Sequence, residues 1–263
     1  MLALLTYDKG DIRIFGKQMK ADSYDLKQQI GVVPQNVAVF HELSVEDNIN
    51  YFCGLYVSDK AKRKTLVDEA IRFVSLEEFR KFRPGKLSGG LLRRLNIACG
   101  IAHQPKLIFM DEPTVAVDPQ SRNAILEGIR RLNAQGATIV YTSHYMEEVE
   151  QICSRIAIMD HGRSIAVGTK EQLTGMIKTG EKVTIEAVVL SEEQLAGIRE
   201  LPHVFAVDYQ NDILTVQCTK ARHNLVRILH CLEEQGTAFG RVYSELPTLN
   251  DVFLEITGKQ LRD

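Results

Sequence analysis

The chain has little of what secreted, metal-bound or nucleic-acid-binding proteins need. Its five cysteines, Cys53, Cys99, Cys153, Cys218 and Cys231, are odd in number, scattered and never in a C-x-x-C pair. That pattern excludes a disulfide framework and a zinc cluster, and leaves core packing as their use. Acidic and basic side chains nearly balance, at a net charge of −2, so no electrostatic case exists for nucleic acid as a partner. No apolar run reaches the roughly 18 residues that would cross a bilayer. Met1-Leu2-Ala3-Leu4-Leu5 has neither the basic start nor the apolar length of a secretory signal. The expectation is a cytoplasmic chain. Also absent is any G-x-x-x-x-G-K-[ST] string, the loop whose backbone N–H groups cradle phosphates.

What is present is concentrated between Leu87 and His144. Leu107 to Met110 is a short apolar run after Pro105, the pattern of a buried parallel strand whose carboxyl end opens onto a ligand crevice. Asp111 and Glu112 therefore stand at that mouth. The first acid of such a pair can hold Mg²⁺ beneath phosphates while the second orients and polarises an attacking water. By itself the pair is equally a strand ending in two solvated acids. Upstream, Ser88-Gly89-Gly90 precedes Leu91, Leu95, Ala98 and Ala102, which repeat at helical spacing. Ser88 is then a candidate N-cap, and the two glycines leave free backbone N–H groups open to an anion at the positive end of the helix. Arg93 and Arg94 are expected on the exposed side of that helix, toward nucleotide or solvent.

Taken in order, these pieces resemble the ATP-binding cassette (ABC) ATPases. Leu87-Ser88-Gly89-Gly90 resembles their signature motif, although Leu91 stands where glutamine is usual. Leu107 to Glu112 resembles their Walker B strand with its catalytic glutamate, and Val115-Ala116-Val117-Asp118 their D-loop. His144 is similar to their switch histidine, and Gln35 in Gly31-Val32-Val33-Pro34-Gln35 to their Q-loop glutamine. The resemblance spans residues 10 to 170. It implies an α/β, P-loop NTPase-like cassette with a helical subdomain at about 41–103. It further implies ATP and Mg²⁺ as cofactors, with Glu112, His144 and Gln35 as catalytic residues and Asp111 and Gln35 near the metal. Ser88, Gly89 and Gly90 would bind the ATP of a facing second cassette, beside Asp118. A membrane permease would be the other partner, holding the chain at the cytoplasmic face.

The resemblance also raises an expectation about the start. Met1 to Tyr7 reads as the end of a helix, Asp8-Lys9-Gly10 as a turn and Asp11 to Phe15 as a strand, a succession that in this family follows the P-loop helix. The chain is expected to begin downstream of the P-loop, to be truncated, and to carry a gap in its sheet. A homodimer of it would then have no phosphate cradle. Ile30 to Val33 is a further short strand, and Ser44 caps a helix with Asp47 in the capping position. Leu43, Ile49, Tyr51, Phe52, Leu55 and Tyr56 serve core packing or permease contact, and Lys60 to Lys64 forms a solvated basic face.

Beyond Asp118-Pro119, Ile125, Ile129 and Leu132 mark a helix ended by Gly136. Ala137 to Tyr141 is a strand delivering Thr142-Ser143-His144, with a helix from Met146 to Cys153 behind it. Arg155 to Asp160 and Ser164 to Gly168 form a hairpin that closes a cassette of residues 1–178. Residues 179–263 read as strand, helix, two strands about Asn211-Asp212, helix, strand and a last helix. That is a small α+β ferredoxin-like domain, similar to the C-terminal accessory domain of exporter ABC ATPases, whose closing motif Pro247 to Leu254 resembles. The implied function is that of an ATP-hydrolysing subunit powering export through a separate membrane subunit. The alternative is a catalytically degenerate regulatory or scaffold subunit that completes a partner cassette's site. A non-transport ABC protein acting on nucleic acid or ribosomes is disfavoured by the charge and the C-terminal domain.

Overall fold

The computed structural model describes residues 2–187 and 189–258, and no side-chain statement is made for Ala187. It divides into two compact units, Met1–Glu148 and Val149–Asp263.

In the first unit, β1 (Arg13–Ile14) and β2 (Lys17–Gln18) form a hairpin about Phe15 and Gly16, both at positive φ. The strand expected over residues 11–15 is thus cut to two residues, because the turn at Phe15-Gly16 folds it back at once. No helix occupies residues 2–7 either. Leu2 and Ala3 instead pack loosely on the cluster of Ile14, Met19, Leu26, Ile30 and Leu107, and Met1 lies outside the described residues. After α1 (Tyr24–Lys27) comes β3 (Ile30–Val33). Helices α2 (Val45–Gly54) and α3 (Lys60–Phe73) follow, capped by Ser44 and Asp59. The Lys60–Lys64 segment lies on the first turns of α3, largely exposed.

Helix α4 (Gly89–Ile101) then leads to β4 (Leu107–Asp111), α5 (Pro119–Ala134), β5 (Thr138–Thr142) and α6 (Met146–Ile152). The three strands are parallel and adjacent in the order β3-β4-β5. There is consequently no gap inside this sheet. Its open N–H and C=O groups fall on the outer strands, and the apolar residues of β5, Ile139, Val140 and Tyr141, are only half-buried. β4, between two neighbours, buries Leu107, Ile108 and Met110, as a central parallel strand must.

Helix α4 lies directly on the backbone of β3. A Cβ at Gly100 would stand 2.7 Å from the Val32 carbonyl oxygen, and one at Gly31 would collide with the Gly100 carbonyl. Only two glycines permit this approach. The register pairs Val33 with Met110 and Asp111 with Thr142. The carboxyl ends of all three strands therefore finish at one level, delivering Gln35, Asp111-Glu112 and His144 to the same edge.

The second unit opens with the hairpin β6 (Ile156–Asp160) and β7 (Arg163–Gly168), turning at His161 and Gly162, followed by α7 (Lys170–Thr174). Then come β8 (Glu181–Ala187), α8 (Glu192–Arg199), β9 (Val204–Gln210), β10 (Ile213–Cys218), α9 (Asn224–Glu234), β11 (Phe239–Glu245) and α10 (Leu249–Thr257). This is the succession read from the sequence. The four strands form one antiparallel sheet in the order β11-β8-β10-β9, a split β-α-β arrangement. Its core holds Val183, Ile185, Leu214 and Val216 from the sheet against Leu195, Ile198, Ile228 and Leu232 from α8 and α9.

Candidate functional site

β4 ends at Asp111, and the next residue leaves the strand sharply, since Glu112 has φ 44°. A left-handed conformation in a non-glycine residue costs on the order of 1–3 kcal/mol and persists where its surroundings hold it. Here the Glu112 N–H donates to the backbone carbonyl and to Oγ1 of Thr142, both at 3.1 Å, while Thr142 Oγ1 donates to Asp111 Oδ1 at 2.5 Å. The bent backbone brings the Glu112 carboxylate between two partners from the neighbouring strand ends. Gln35 Nε2 donates to its Oε2 at 3.0 Å, and His144 Nδ1 lies 3.3 Å from its Oε1. Gln35, Asp111, Glu112 and His144 thus form one group.

A residue expected on the exposed side of its helix, toward nucleotide or solvent, holds this group together. Arg93 is 5% exposed, not on an outward face. Its guanidinium donates to the carbonyls of Gln35 at 2.7 Å, Pro34 at 3.2 Å and Glu112 at 3.3 Å. Burial holds its pKa below the usual arginine range, and the nearby Glu112 charge pulls it back up. Burying a guanidinium costs several kcal/mol unless acceptors meet it, and here three carbonyls accept from it. Asn96, one turn on, donates to Pro34 and accepts from the Ala38 N–H. The helix carrying Ser88 is thereby tied to the loop carrying Gln35.

Ser88, Gly89 and Gly90 lie at the start of α4, where Ser88 Oγ accepts from the Leu91 N–H at 3.4 Å. They form a second cluster, against Asp118. A Cβ on Gly90 would meet Ser121 Oγ at 2.5 Å and Asp118 Oδ2 at 3.1 Å. Asp118 itself caps α5, accepting from the Ser121 N–H at 2.9 Å, and that bond lowers its pKa. Ala116 just before it is left-handed as well, at φ 57°.

A third, buried group was not legible in the sequence. Glu148, 3% exposed, accepts from Tyr141 Oη at 2.6 Å, Thr114 Oγ1 at 2.7 Å and Ser143 Oγ at 3.3 Å, and pairs with Arg122 at 3.3 Å. The Arg122 guanidinium also sits over the Tyr145 ring, which lies against His144. The neighbours in sequence of both Glu112 and His144 are therefore anchored to one carboxylate. Nothing in the string Tyr145-Met146-Glu147-Glu148 distinguishes the buried acid from the exposed one beside it.

A family model described as ABC transporter matches residues 1–115. The linearmycin resistance ATP-binding protein LnrL of Bacillus subtilis (strain 168) is 36% identical over 264 residues, covering 99% of this chain and 84% of that protein. The chain belongs to the ABC transporter ATP-binding subunits. A Nod factor export ATP-binding protein I of Rhizobium sp. (strain N33) is 33% identical, covering 99% of this chain and 83% of its own length. The daunorubicin resistance ATP-binding protein DrrA3 of Streptomyces coeruleorubidus is 31% identical, covering 98% and 82%. Among solved structures, an ATP binding subunit of an ABC transporter matches with a TM-score of 0.60 at 24% identity, over 66% of this chain and 73% of that one. The ABC cassette fold is shared. ABC ATPases bind ATP, generally with Mg²⁺, and work as dimers with a membrane permease. Among the described residues of this chain, no helix is long and apolar enough to cross a membrane.

Proposed function

We propose that this ABC subunit powers export through a separate membrane permease, in a dimer of cassettes where Ser88, Gly89 and Gly90 contact the ATP of the facing cassette. The observation that carries the reading is the contact of Gln35, Glu112 and His144, brought together from three strand ends. Glu112 is placed to polarise an attacking water, His144 to donate to a terminal phosphate, and Gln35 to report on both. Three relatives whose names carry resistance or export support the direction of transport.

The residues fit Mg²⁺. Asp111 and the side-chain carbonyl of Gln35 are hard oxygen donors, and this ion takes one or two carboxylates beside phosphate oxygens and water. No group of three or more His, Cys, Asp or Glu among the described residues forms a metal cage. When bound, Mg²⁺ neutralises phosphate charge. Asp111 is held ready by the Thr142 hydroxyl.

The cassette would span residues 1–178 and the accessory domain 179–263, on the cytoplasmic face. The aromatic cluster of Phe40, Tyr51 and Phe52, with Leu55 and Tyr56 exposed nearby while Ile49 is wholly buried, supports a permease contact there.

The test is ATP turnover with Mg²⁺ by the chain alone and mixed with an intact ABC cassette. The expected result is turnover by the mixture above that of the intact cassette by itself, an excess that Ser88→Ala in this chain removes. A mixture whose turnover is indifferent to Ser88→Ala in this chain overturns the reading that Ser88 and Gly90 act in trans.

A further inference from the structure

The antiparallel sheet of the second unit ends in two open strands, β9, which pairs only with β10, and β11, which pairs only with β8. The outer edge of such a strand carries backbone N–H and C=O groups free to pair with another chain. Folded chains blunt these edges with proline, with lysine or by keeping the strand very short.

β11 is blunted by none of these, since its seven residues, Phe239–Glu245, include no proline or lysine. The bulge between Phe239 and Val242 sits at one end and leaves Val242 to Glu245 in regular pairing with β8. Val242 and Ser244 stand opposite the core residues Ile185 and Val183, so Tyr243 and Glu245 point from the other face of the sheet. Arg241, Tyr243 and Glu245 are all exposed, Tyr243 by 46%. Glu186, across the bulge, accepts from the Arg241 backbone N–H at 3.5 Å. Among the described residues, neither the Arg241 guanidinium nor the Glu245 carboxylate meets an opposite charge.

The two charges flank Tyr243 symmetrically. In an antiparallel pair of identical strands centred on Tyr243, Arg241 falls opposite Glu245 of the second copy, and Glu245 opposite its Arg241. β9 offers no such match, because its one charged residue, Asp208, would find no cation in a second β9.

We propose that β11 pairs antiparallel with β11 of a second copy of this chain, about Tyr243, joining the two sheets into one. The two-fold axis makes the Arg241–Glu245 contact twice, and opposite charges across strands stabilise where like charges destabilise. Parallel pairing in register would set Arg241 on Arg241 and Glu245 on Glu245, so the charges also select the direction. One strand a side is smaller than a standard interface of about 1,600 Å², so the dimer is weak and depends on concentration.

The experiment is sedimentation velocity of the whole chain without nucleotide, which leaves out any pairing of cassettes closed on ATP. Loading runs up to about 100 μM, enough to populate a dimer whose Kd is of that order. The parent is expected to sediment partly as a dimer at the highest loading. Arg241→Glu and Glu245→Arg each place like charges at both contacts and should weaken the dimer at least about tenfold. Mixing these two variants should restore it, because every contact then joins opposite charges, and the double variant should dimerise like the parent. A monomeric parent across the range, single variants that dimerise as well as the parent, or a mixture no stronger than its components overturns the proposal.

Discussion

Gln35 and Glu112 are 77 residues apart, and the side-chain amide of the first donates to the carboxylate of the second at 3.0 Å. The bond exists because β3 and β4 are parallel and in register, so the residues just past their ends arrive together. His144 joins from β5 by the same geometry.

Glu112→Gln should keep the shape of this group and remove its ability to take a proton. In an assembly that hydrolyses ATP at this site, kcat should fall by about 10²–10⁴-fold, the usual worth of a general base, with KM little changed. Steady-state kinetics against ATP concentration separates the two. A comparable rise in KM with kcat intact would assign Glu112 to binding.

Arg93→Met should destabilise the first unit by about 2–3 kcal/mol, since three carbonyl oxygens lose a charged donor. The urea midpoint measures it. Arg93→Lys should recover only part, because an ammonium lacks the planar fork that reaches Gln35, Pro34 and Glu112 together. If Arg93→Met were as stable as the parent, the three bonds would carry no net weight.

Gly90→Ala should cost about 1–3 kcal/mol through overpacking, its methyl forced onto Ser121. Ser121→Gly removes the two nearest atoms it meets and leaves only Asp118 Oδ2 at 3.1 Å, so the double variant should recover part of the stability lost in Gly90→Ala. Thermal melts of the four proteins in this cycle give the coupling. Simple additivity would mean that α4 and α5 do not touch there as described.

Burial raises the Tyr141 pKa well above the ordinary phenol value, and its bond to Glu148 raises it further. The unfolded tyrosine loses its proton near pH 10, whereas the folded one retains it. Above that pH the native state binds more protons than the unfolded state, so stability falls as pH rises. The contribution is fully present below about pH 10 and lost progressively above it. Denaturation midpoints from pH 8 to 11 should show this decline, and Tyr141→Phe should flatten it, apart from the share due to buried thiols such as Cys218, raised to about 11.

The motif residues were legible because each stands at the end of an apolar run whose period shows it to be a strand. Knowing that Leu107 to Met110 is buried is enough to place Asp111 at a crevice. The helices entered through a capping residue, from Ser44 and Ser88, were legible for the same local reason. The first residues were not. Met1 to Tyr7 is apolar enough to read as a helix end, but residues 2–7 have no helix, and what Leu2 and Ala3 pack on is decided by residues as distant as Leu107.

Beyond its first residues, the sequence by itself determined most strands and helices, the family and the residues that stand at the site edge, because period, caps and motif spacing are properties of neighbouring residues. Only the tertiary structure decided that Arg93 is buried and that Glu148 gathers three hydroxyls and a guanidinium. These depend on which surfaces meet across long stretches of chain. A charged side chain on a helix carries no local mark of whether carbonyls from another element will be waiting for it.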